Sequence, residues 1–236
     1  MHTVSLDWIT ADAEKVVARH ARVSTANPDR DQYKGLLRHC CKYGHWSVFE
    51  QVNATFEIIT SRAISAQIIR HRAFTFQELS QRYSNPFDVV TDLNDKPCEF
   101  ELRKQAEKNR QSSYDLIDVE TASKFRKRIE VLDGQLNSLY HDMLEAGAAR
   151  ECSRNVLPLY TPTKIHMNGT LRSWLHYVGL RAREETQLEH REIAQQVGMV
   201  LAIEVPTIID LVVERAAEDD ALSGWLFLRS GVSVLA

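Results

Sequence analysis

Residues Val52–His71 read "VNATFEIITSRAISAQIIRH" and change from a strand pattern to a helix pattern within one segment. From Val52 to Ile59, apolar side chains alternate with more polar ones, which predicts a half-buried strand. From Ile64 to His71, the apolar residues recur with helical spacing. A strand that leads directly into a helix favours an α/β or α+β fold.

The remainder of the chain is dominated by helix patterns. Helices are expected at Ala11–Ala21, Tyr33–Tyr43 (ended by Gly44), Leu171–Arg181 and Glu189–Val213. Between Phe100 and about Gly147 the chain is highly charged, and its apolar residues are spaced as in long helices with solvated outer faces. Residues 87–97 form a turn-rich linker, and the two prolines of residues 155–170 predict a break followed by a short strand.

No internal repeat or composition shift marks a domain boundary. We therefore predict a single domain over residues 1–236, with a charged helical insert over about 94–147.

Composition excludes several classes of protein. The chain has 44% hydrophobic and 26% charged residues, as ordinary globular proteins do. Its net charge of -3 provides no overall basic field, so we expect no nucleic-acid partner. No apolar run reaches the roughly 20 residues of a membrane span, and residues 1–10 lack a signal-peptide pattern.

The four cysteines predict a reduced, cytoplasmic protein. Cys40 and Cys41 are adjacent, which disfavours a bridge between them, and no paired spacing indicates zinc. A nucleophilic role for Cys98 is disfavoured, because this residue lies in a charged connector. We predict no metal site.

The densest chemistry lies in Arg70–Asn85, "RHRAFTFQELSQRYSN". Guanidinium groups bind phosphate or the acidic edge of a pyrimidine with two parallel hydrogen bonds, which a lysine cannot do. A charged helix end with internal Arg–Glu pairs would explain Arg70 and Arg72 alone. The following Ser80, Arg82 and Tyr83 favour a site for an anionic, planar ligand.

Two further clusters flank this stretch in the sequence. In "GHWSVFEQ" (Gly44–Gln51), Ser47 and Glu50 have the spacing of a helix capping box, although His45 could also face a ligand. Farther on, Arg172, His176 and Arg181 lie on neighbouring faces of one predicted helix. That pattern fits a ligand groove, but a solvated helix face would give it as well. At least one of the neighbouring Trp174 and Tyr177 is expected in the core.

Together these segments resemble the flavin-dependent thymidylate synthases. The stretch from Arg70 has that family's Arg-His-Arg, seven residues, then Ser, with Arg-Tyr-Ser following. "GHWSVFEQ" resembles its His-x-x-x-Phe-Glu element, "SRNVLPLYT" its Arg-x-x-Leu-Pro segment, and "NGTLRSWLHYVGLR" its C-terminal ligand helix. The order and spacing agree over roughly residues 21–197.

The resemblance implies a methyltransferase that makes dTMP from dUMP. The carbon would come from 5,10-methylenetetrahydrofolate, and the hydride from FAD reduced by NADPH. It also implies long helices packed on a small mixed or antiparallel sheet, and a homotetramer whose sites are shared among subunits. No cysteine nucleophile is needed for this chemistry.

The resemblance also assigns roles to individual residues. The positions that match dUMP-binding residues are Gln67, Arg70, Glu78, Ser80, Gln81, Arg82, Arg154 and Arg181. Those that match FAD-binding residues are Ser47, Glu50, Arg70, His71, Arg72, Gln77, Glu78, Arg172 and His176, with Ser24 a weaker match. Arg181, Ser80 and His45 are expected to act in catalysis, with Ser80 binding substrate and no nucleophile required.

Four positions depart from the family pattern. Thr75 and Gln77 replace Ser and Asn, and so keep a hydroxyl and an amide. Gln81 replaces a Gly, and His176 stands where some relatives have Asn.

Three alternatives remain open at the level of sequence. The arginines could serve a non-catalytic nucleotide or nucleic-acid binding module. Ser80 or Cys98 could serve a hydrolase, and Cys98 a conventional thymidylate synthase that works without flavin or NADPH.

Overall fold

The computed structural model describes residues 2–86 and 100–229, and shows a mixed helix and sheet protein. The strands are β1 (Thr3–Ile9), β2 (Asn53–Ser61), β3 (Phe74–Glu78), β4 (Arg103–Gln105), β5 (Ser113–Leu116) and β6 (Pro162–Thr170). The α-helices are α1 (Ala13–Ala21), α2 (Lys34–Tyr43), α3 (Arg62–Ile68), α4 (Val119–Glu145), α5 (Arg150–Ser153), α6 (Leu171–Arg181), α7 (Leu188–Glu204) and α8 (Pro206–Ala216). The 3₁₀ helices are Trp46–Gln51, Arg154–Val156 and Asp220–Arg229.

The strands form two sheets. Four of them pair in the order β1-β2-β6-β3, and β4 pairs with β5 in an antiparallel hairpin. The expected combination of long helices with a small sheet is confirmed.

The strand predicted at Val52–Ile59 and the helix predicted at Tyr33–Tyr43 are confirmed. β2 occupies the predicted position, and Ala54, Phe56 and Ile58 on its apolar face are completely buried. The opposite face is more buried than expected, because Thr55 is 8% exposed and its hydroxyl accepts a hydrogen bond from Asn168 at 2.6 Å. α2 ends at Tyr43, and the following Gly44 adopts the left-handed φ of 70° that favours glycine.

The prediction of helices throughout Phe100–Gly147 is wrong in its first part. Residues 103–116 form the β4–β5 hairpin, and only α4 is helical. α4 begins where the Asp118 side chain accepts a hydrogen bond from the Thr121 backbone N–H at 2.8 Å. The predicted linker at residues 87–97 and Cys98 lie outside the described residues.

The single helix predicted over Glu189–Val213 is two helices. α7 ends at Glu204, and α8 starts at Pro206. Proline has no backbone N–H for a helical hydrogen bond, but it is well suited to the first turn of a helix. The apolar spacing continues across the break, which is why periodicity alone joins the two helices.

By their internal contacts, the described residues form two compact units. Unit 1 comprises Ile59–Ala66 and the described residues between Glu78 and Ile165. Unit 2 comprises His2–Ile58, Gln67–Gln77 and the described residues from His166 onward. Compact units are not domain boundaries, and the single-domain organisation stays a prediction.

The core of unit 2 is built on aromatic side chains. Trp174 of α6 lies 4.8 Å from Phe56 and 4.6 Å from Phe74 between ring centroids, both in edge-to-face geometry. The Trp174 indole N–H donates to the Ala54 carbonyl at 3.0 Å. Trp174 and Tyr177 are both completely buried, as expected for at least one of them.

The 3₁₀ helix Asp220–Arg229 fits closely against α6 in unit 2. The Trp225 indole donates to the Leu175 carbonyl at 2.8 Å. A Cβ atom on Gly179 would lie 2.5 Å from the Ala221 carbonyl oxygen, and one on Gly224 would lie 2.5 Å from the Gly179 carbonyl oxygen. Both glycines therefore permit the close approach of two backbones.

No helix among residues 2–86 and 100–229 is long and apolar enough to cross a membrane.

Candidate active site

The Arg-His-Arg triplet lies in a turn of unit 2 between α3 and β3. α3 ends at Ile68, and the His71 N–H donates to the Ile68 carbonyl at 3.1 Å. The helix is thus shorter than the predicted Ile64–His71. Arg70 and Arg72 are exposed, and neither guanidinium has a partner among the described residues. Two unpaired guanidinium groups in one turn are suited to an anionic ligand.

In unit 2, the His71 side chain is hydrogen-bonded to Arg181, the last residue of α6. The Arg181 Nε–H donates to His71 Nε2 at 2.9 Å. Burial, followed by the nearby charges of Arg181 and His176, lowers the pKa of His71 from 6.5 to about 4. His71 is therefore neutral at pH 7 and can accept this hydrogen bond. Within residues 2–86 and 100–229, neither terminal amino group of Arg181 has a hydrogen-bond partner.

A buried network that the sequence does not reveal stands beside this pair. His190 of α7 is completely buried, and its Nε2 lies 3.1 Å from the Tyr177 hydroxyl. Its Nδ1 lies 3.3 Å from Oε1 of Gln67, which is a predicted substrate-binding residue. The Tyr177 ring packs edge-to-face on His71, with centroids 5.0 Å apart. The sequence around His190 reads as an ordinary helix, so nothing in it marks this residue.

The predicted flavin residues Glu50 and Arg172 are brought together in unit 2. The Arg172 guanidinium donates to the Glu50 carboxylate, and both side chains are about half exposed, at 50% and 44%. The capping-box alternative for Ser47 and Glu50 is not observed, because the 3₁₀ helix Trp46–Gln51 has no side-chain cap. His45 precedes that helix, exposed, with its ring 5.4 Å from the ring of His39. His176 and Gln77 are also exposed.

In unit 1, Glu78 is held by three donors on one oxygen. Its Oε1 lies 2.5 Å from the Arg62 guanidinium and accepts from the hydroxyls of Ser65 and Thr163, the latter at 3.1 Å. Arg62, Ser65 and Thr163 were missed at the level of sequence. Arg62 could have been found from its charge, because a carboxylate in a ligand site needs a cation to hold it.

The other predicted unit 1 residues follow β3 or lie in the 3₁₀ helix Arg154–Val156. Arg82 pairs with Glu151 at 3.0 Å, and both side chains are exposed. Gln81 is 8% exposed, and its Nε2 has no hydrogen-bond partner among the described residues. A buried donor without a partner is costly, so a ligand oxygen would satisfy it. Ser80 is exposed, and Arg154 is half-buried.

No group of three or more His, Cys, Asp or Glu side chains in the described part of the chain is arranged to hold a metal ion.

The fold is shared with a pyrimidine-nucleotide methylase. The crystal structure of a UMP/dUMP methylase, PolB from Streptomyces cacaoi, bound with 5-Br dUMP matches this chain with a TM-score of 0.76. The match covers 91% of this chain and 95% of the other, at 23% sequence identity. At that identity the likeness concerns the fold alone.

Sequence comparison defines the family. The family model described as "Thymidylate synthase complementing protein" matches residues 6–207. The flavin-dependent thymidylate synthase of Synechocystis sp. is 41% identical over 205 residues, covering 87% of this chain and 92% of the relative. A probable flavin-dependent thymidylate synthase of Paramecium bursaria Chlorella virus 1 is 41% identical over 200 residues, covering 83% and 88%. The chain belongs to the flavin-dependent thymidylate synthase family, as its motifs predicted.

Proposed function

We propose that this protein methylates dUMP to dTMP, using 5,10-methylenetetrahydrofolate as the carbon donor and FAD reduced by NADPH as the hydride donor. The observation that carries the proposal is the contact between Arg181 and His71. A neutral imidazole holds the guanidinium by its Nε and leaves the two terminal amino groups for one planar, acidic edge. The edge of a uracil ring has that chemistry.

Eight residues are proposed to bind dUMP. Unit 2 contains three of them, Gln67, Arg70 and Arg181. Unit 1 contains the other five, Glu78, Ser80, Gln81, Arg82 and Arg154. Arg82 and Arg154 supply charge for the phosphate, and the unpartnered amide of Gln81 supplies a donor. Glu78, fixed by Arg62, accepts from a sugar hydroxyl.

The donors present fit a flavin dinucleotide. The unpaired guanidinium groups of Arg70 and Arg72 are suited to its pyrophosphate. The remaining proposed contacts are Ser47, Glu50, His71, Gln77, Glu78, Arg172 and His176. Bound FAD would supply the redox chemistry of the hydride transfer. The protein's part is to hold and orient the ring: the Arg172–Glu50 pair offers both a donor and an acceptor.

Three residues are proposed to act on the substrate directly. Arg181 stabilises negative charge that develops on the pyrimidine ring. Ser80 binds the nucleotide, and no histidine partners its hydroxyl within the described residues, so it is not activated as a nucleophile. His45, exposed beside the 3₁₀ helix Trp46–Gln51, is proposed to contact flavin or folate.

A stripe of apolar side chains on α4 supports the proposed homotetramer. The stripe consists of Phe125, Ile129, Leu132, Leu136, Leu139 and Met143, spaced alternately four and three residues apart. This is the spacing of helices that pack on one another. Phe125, Leu132 and Leu139 are 45%, 51% and 45% exposed. Exposed apolar rows of this kind mark interaction surfaces, and a second copy of the chain is the proposed partner.

Leu132→Glu is therefore expected to disrupt the assembly, because it places a charge in the stripe. Val131→Glu is the matched control: Val131 is 62% exposed on the same helix, but it lies outside the stripe. Light scattering after gel filtration should give a smaller particle for Leu132→Glu and a wild-type particle for Val131→Glu. Identical masses for the two variants would count against α4 as the interface.

The activity itself is tested by spectroscopy of the protein as isolated. We expect a flavin absorbance spectrum, and NADPH oxidation that accelerates when dUMP is added. With methylenetetrahydrofolate present, dTMP should form. A colourless protein that binds oligonucleotides with steep salt dependence would support a binding module instead. Turnover without flavin or NADPH that Cys98→Ala abolishes would support a conventional thymidylate synthase.

A further inference from the structure

Five polar side chains of unit 2 form a continuous hydrogen-bonded chain that ends at the phenol packed on His71. The Gln187 amide donates to Glu189 at 2.9 Å, and the Gln67 amide donates to Gln187 Oε1 at 2.6 Å. Gln67 Oε1 lies 3.3 Å from His190 Nδ1, and His190 Nε2 lies 3.1 Å from the Tyr177 hydroxyl. Four of the five residues lie in the segment 177–190, and the fifth is Gln67.

The direction of every hydrogen bond in the chain follows from the carboxylate at its end. A carboxylate can only accept, so Gln187 must turn its NH₂ group toward Glu189. Its oxygen then faces Gln67 and can only accept, so Gln67 must turn its own NH₂ group toward Gln187.

The same logic fixes the histidine. The Gln67 oxygen faces His190 and can only accept, so Nδ1 of His190 carries the hydrogen. Nε2 is then bare and accepts from the Tyr177 hydroxyl. Burial, followed by the charges of Arg181 and His71, lowers the pKa of His190 to about 3, so the ring stays neutral with one hydrogen. Burial raises the pKa of the Tyr177 phenol, which keeps its proton.

We propose that His190 is a positioning residue for the nucleotide: with Glu189 acting through Gln187, it fixes the Gln67 amide so that the hydrogen left on that amide is a donor for dUMP. The proposal rests on the proposed function and deepens it. Gln67 has two amide hydrogens, of which Gln187 takes one. The other is free for an acceptor oxygen of the ligand. A rotated amide would present its carbonyl instead and repel that oxygen.

Packing alone does not account for a histidine at this position. A completely buried imidazole is costly unless both nitrogens have partners, whereas a leucine would fill similar space without that requirement. Both nitrogens of His190 do have partners, and one of these is a proposed ligand-binding residue.

The test is a double-mutant cycle on dUMP affinity, measured by calorimetric titration of the flavin-loaded protein. His190→Leu and Gln67→Ala should each weaken dUMP binding by about tenfold, the value of one oriented hydrogen bond. If His190 acts through Gln67, the double variant should bind no more weakly than Gln67→Ala. Losses that multiply to about a hundredfold would overturn the proposal, as would wild-type affinity in His190→Leu.

A variant at the other end of the hydrogen-bonded chain tests the proposal if His190→Leu does not fold. Glu189→Gln keeps the size of the side chain but lets it donate as well as accept, which removes the fixed direction of the chain. We expect about threefold weaker dUMP binding. The matched control is Glu185→Gln, an exposed residue with the same change of charge, which should bind as wild type. Equal affinities of Glu189→Gln and Glu185→Gln would overturn the inference. A wild-type protein that binds no dUMP would instead refute the proposed function.

Discussion

Arg181→Ala is expected to weaken dUMP binding by about a hundredfold, because truncating one partner of a desolvated, hydrogen-bonded charge contact costs roughly 2–5 kcal/mol. The variant loses both terminal amino groups and leaves His71 Nε2 without its donor. Calorimetric titration of dUMP measures the effect, and the flavin absorbance reports whether the cofactor is retained.

Two controls separate this role from a general effect of positive charge. Arg191 donates to the Glu184 carbonyl in an exposed contact of unit 2, and Arg191→Ala should change dUMP affinity little. Lys164→Ala removes a charge from unit 1 and should likewise have a small effect. Comparable losses in the three variants would contradict the placement of Arg181 at the pyrimidine.

Gly179→Ala is expected to destabilise the protein by about 3 kcal/mol through overpacking. The new Cβ would lie 2.5 Å from the Ala221 carbonyl oxygen and 3.0 Å from the Leu222 Cα, and both are backbone atoms that cannot move aside alone. Urea unfolding followed by circular dichroism measures the change. Because Arg181 follows two residues later on α6, dUMP affinity should fall as well.

Gly134→Ala is the matched control. Gly134 also lies within an α-helix, α4, but nothing stands within 4 Å of an added Cβ. Alanine is the better helix former by up to about 1 kcal/mol, so this variant should be slightly more stable than wild type. If Gly179→Ala unfolds at the same urea concentration as Gly134→Ala, the close approach of the two backbones has no energetic consequence.

The sequence was most informative where a local pattern determines local structure. α6 occupies Leu171–Arg181 as predicted, because its apolar spacing and the Thr170 cap act within a few residues. The prediction does not include β1, although Val4, Leu6 and Trp8 alternate there with Ser5 and Asp7. The β4–β5 hairpin is not predicted, because strands of three and four residues are too short to show a pattern. Their pairing depends on partners that a local pattern does not contain.

In the candidate site, too, local motifs were predictable and contacts between distant residues were not. The motifs identified the arginines and their family, because each motif is a short continuous stretch of sequence. The network around Gln67 was not predictable, because its partner Gln187 is 120 residues away and both glutamines look like surface residues in isolation. Thr163, 85 residues from Glu78, escaped detection for the same reason.

Neither compact unit is one uninterrupted piece of polypeptide: the backbone leaves unit 1 after Ala66 and re-enters it at Glu78. A fragment that stops at Gln77 would therefore carry Arg70 and His71 but lack α6, which includes Arg181. Limited proteolysis or expression of half-genes should consequently yield pieces that do not fold alone. Genetic complementation by split halves would have to rebuild both units at once.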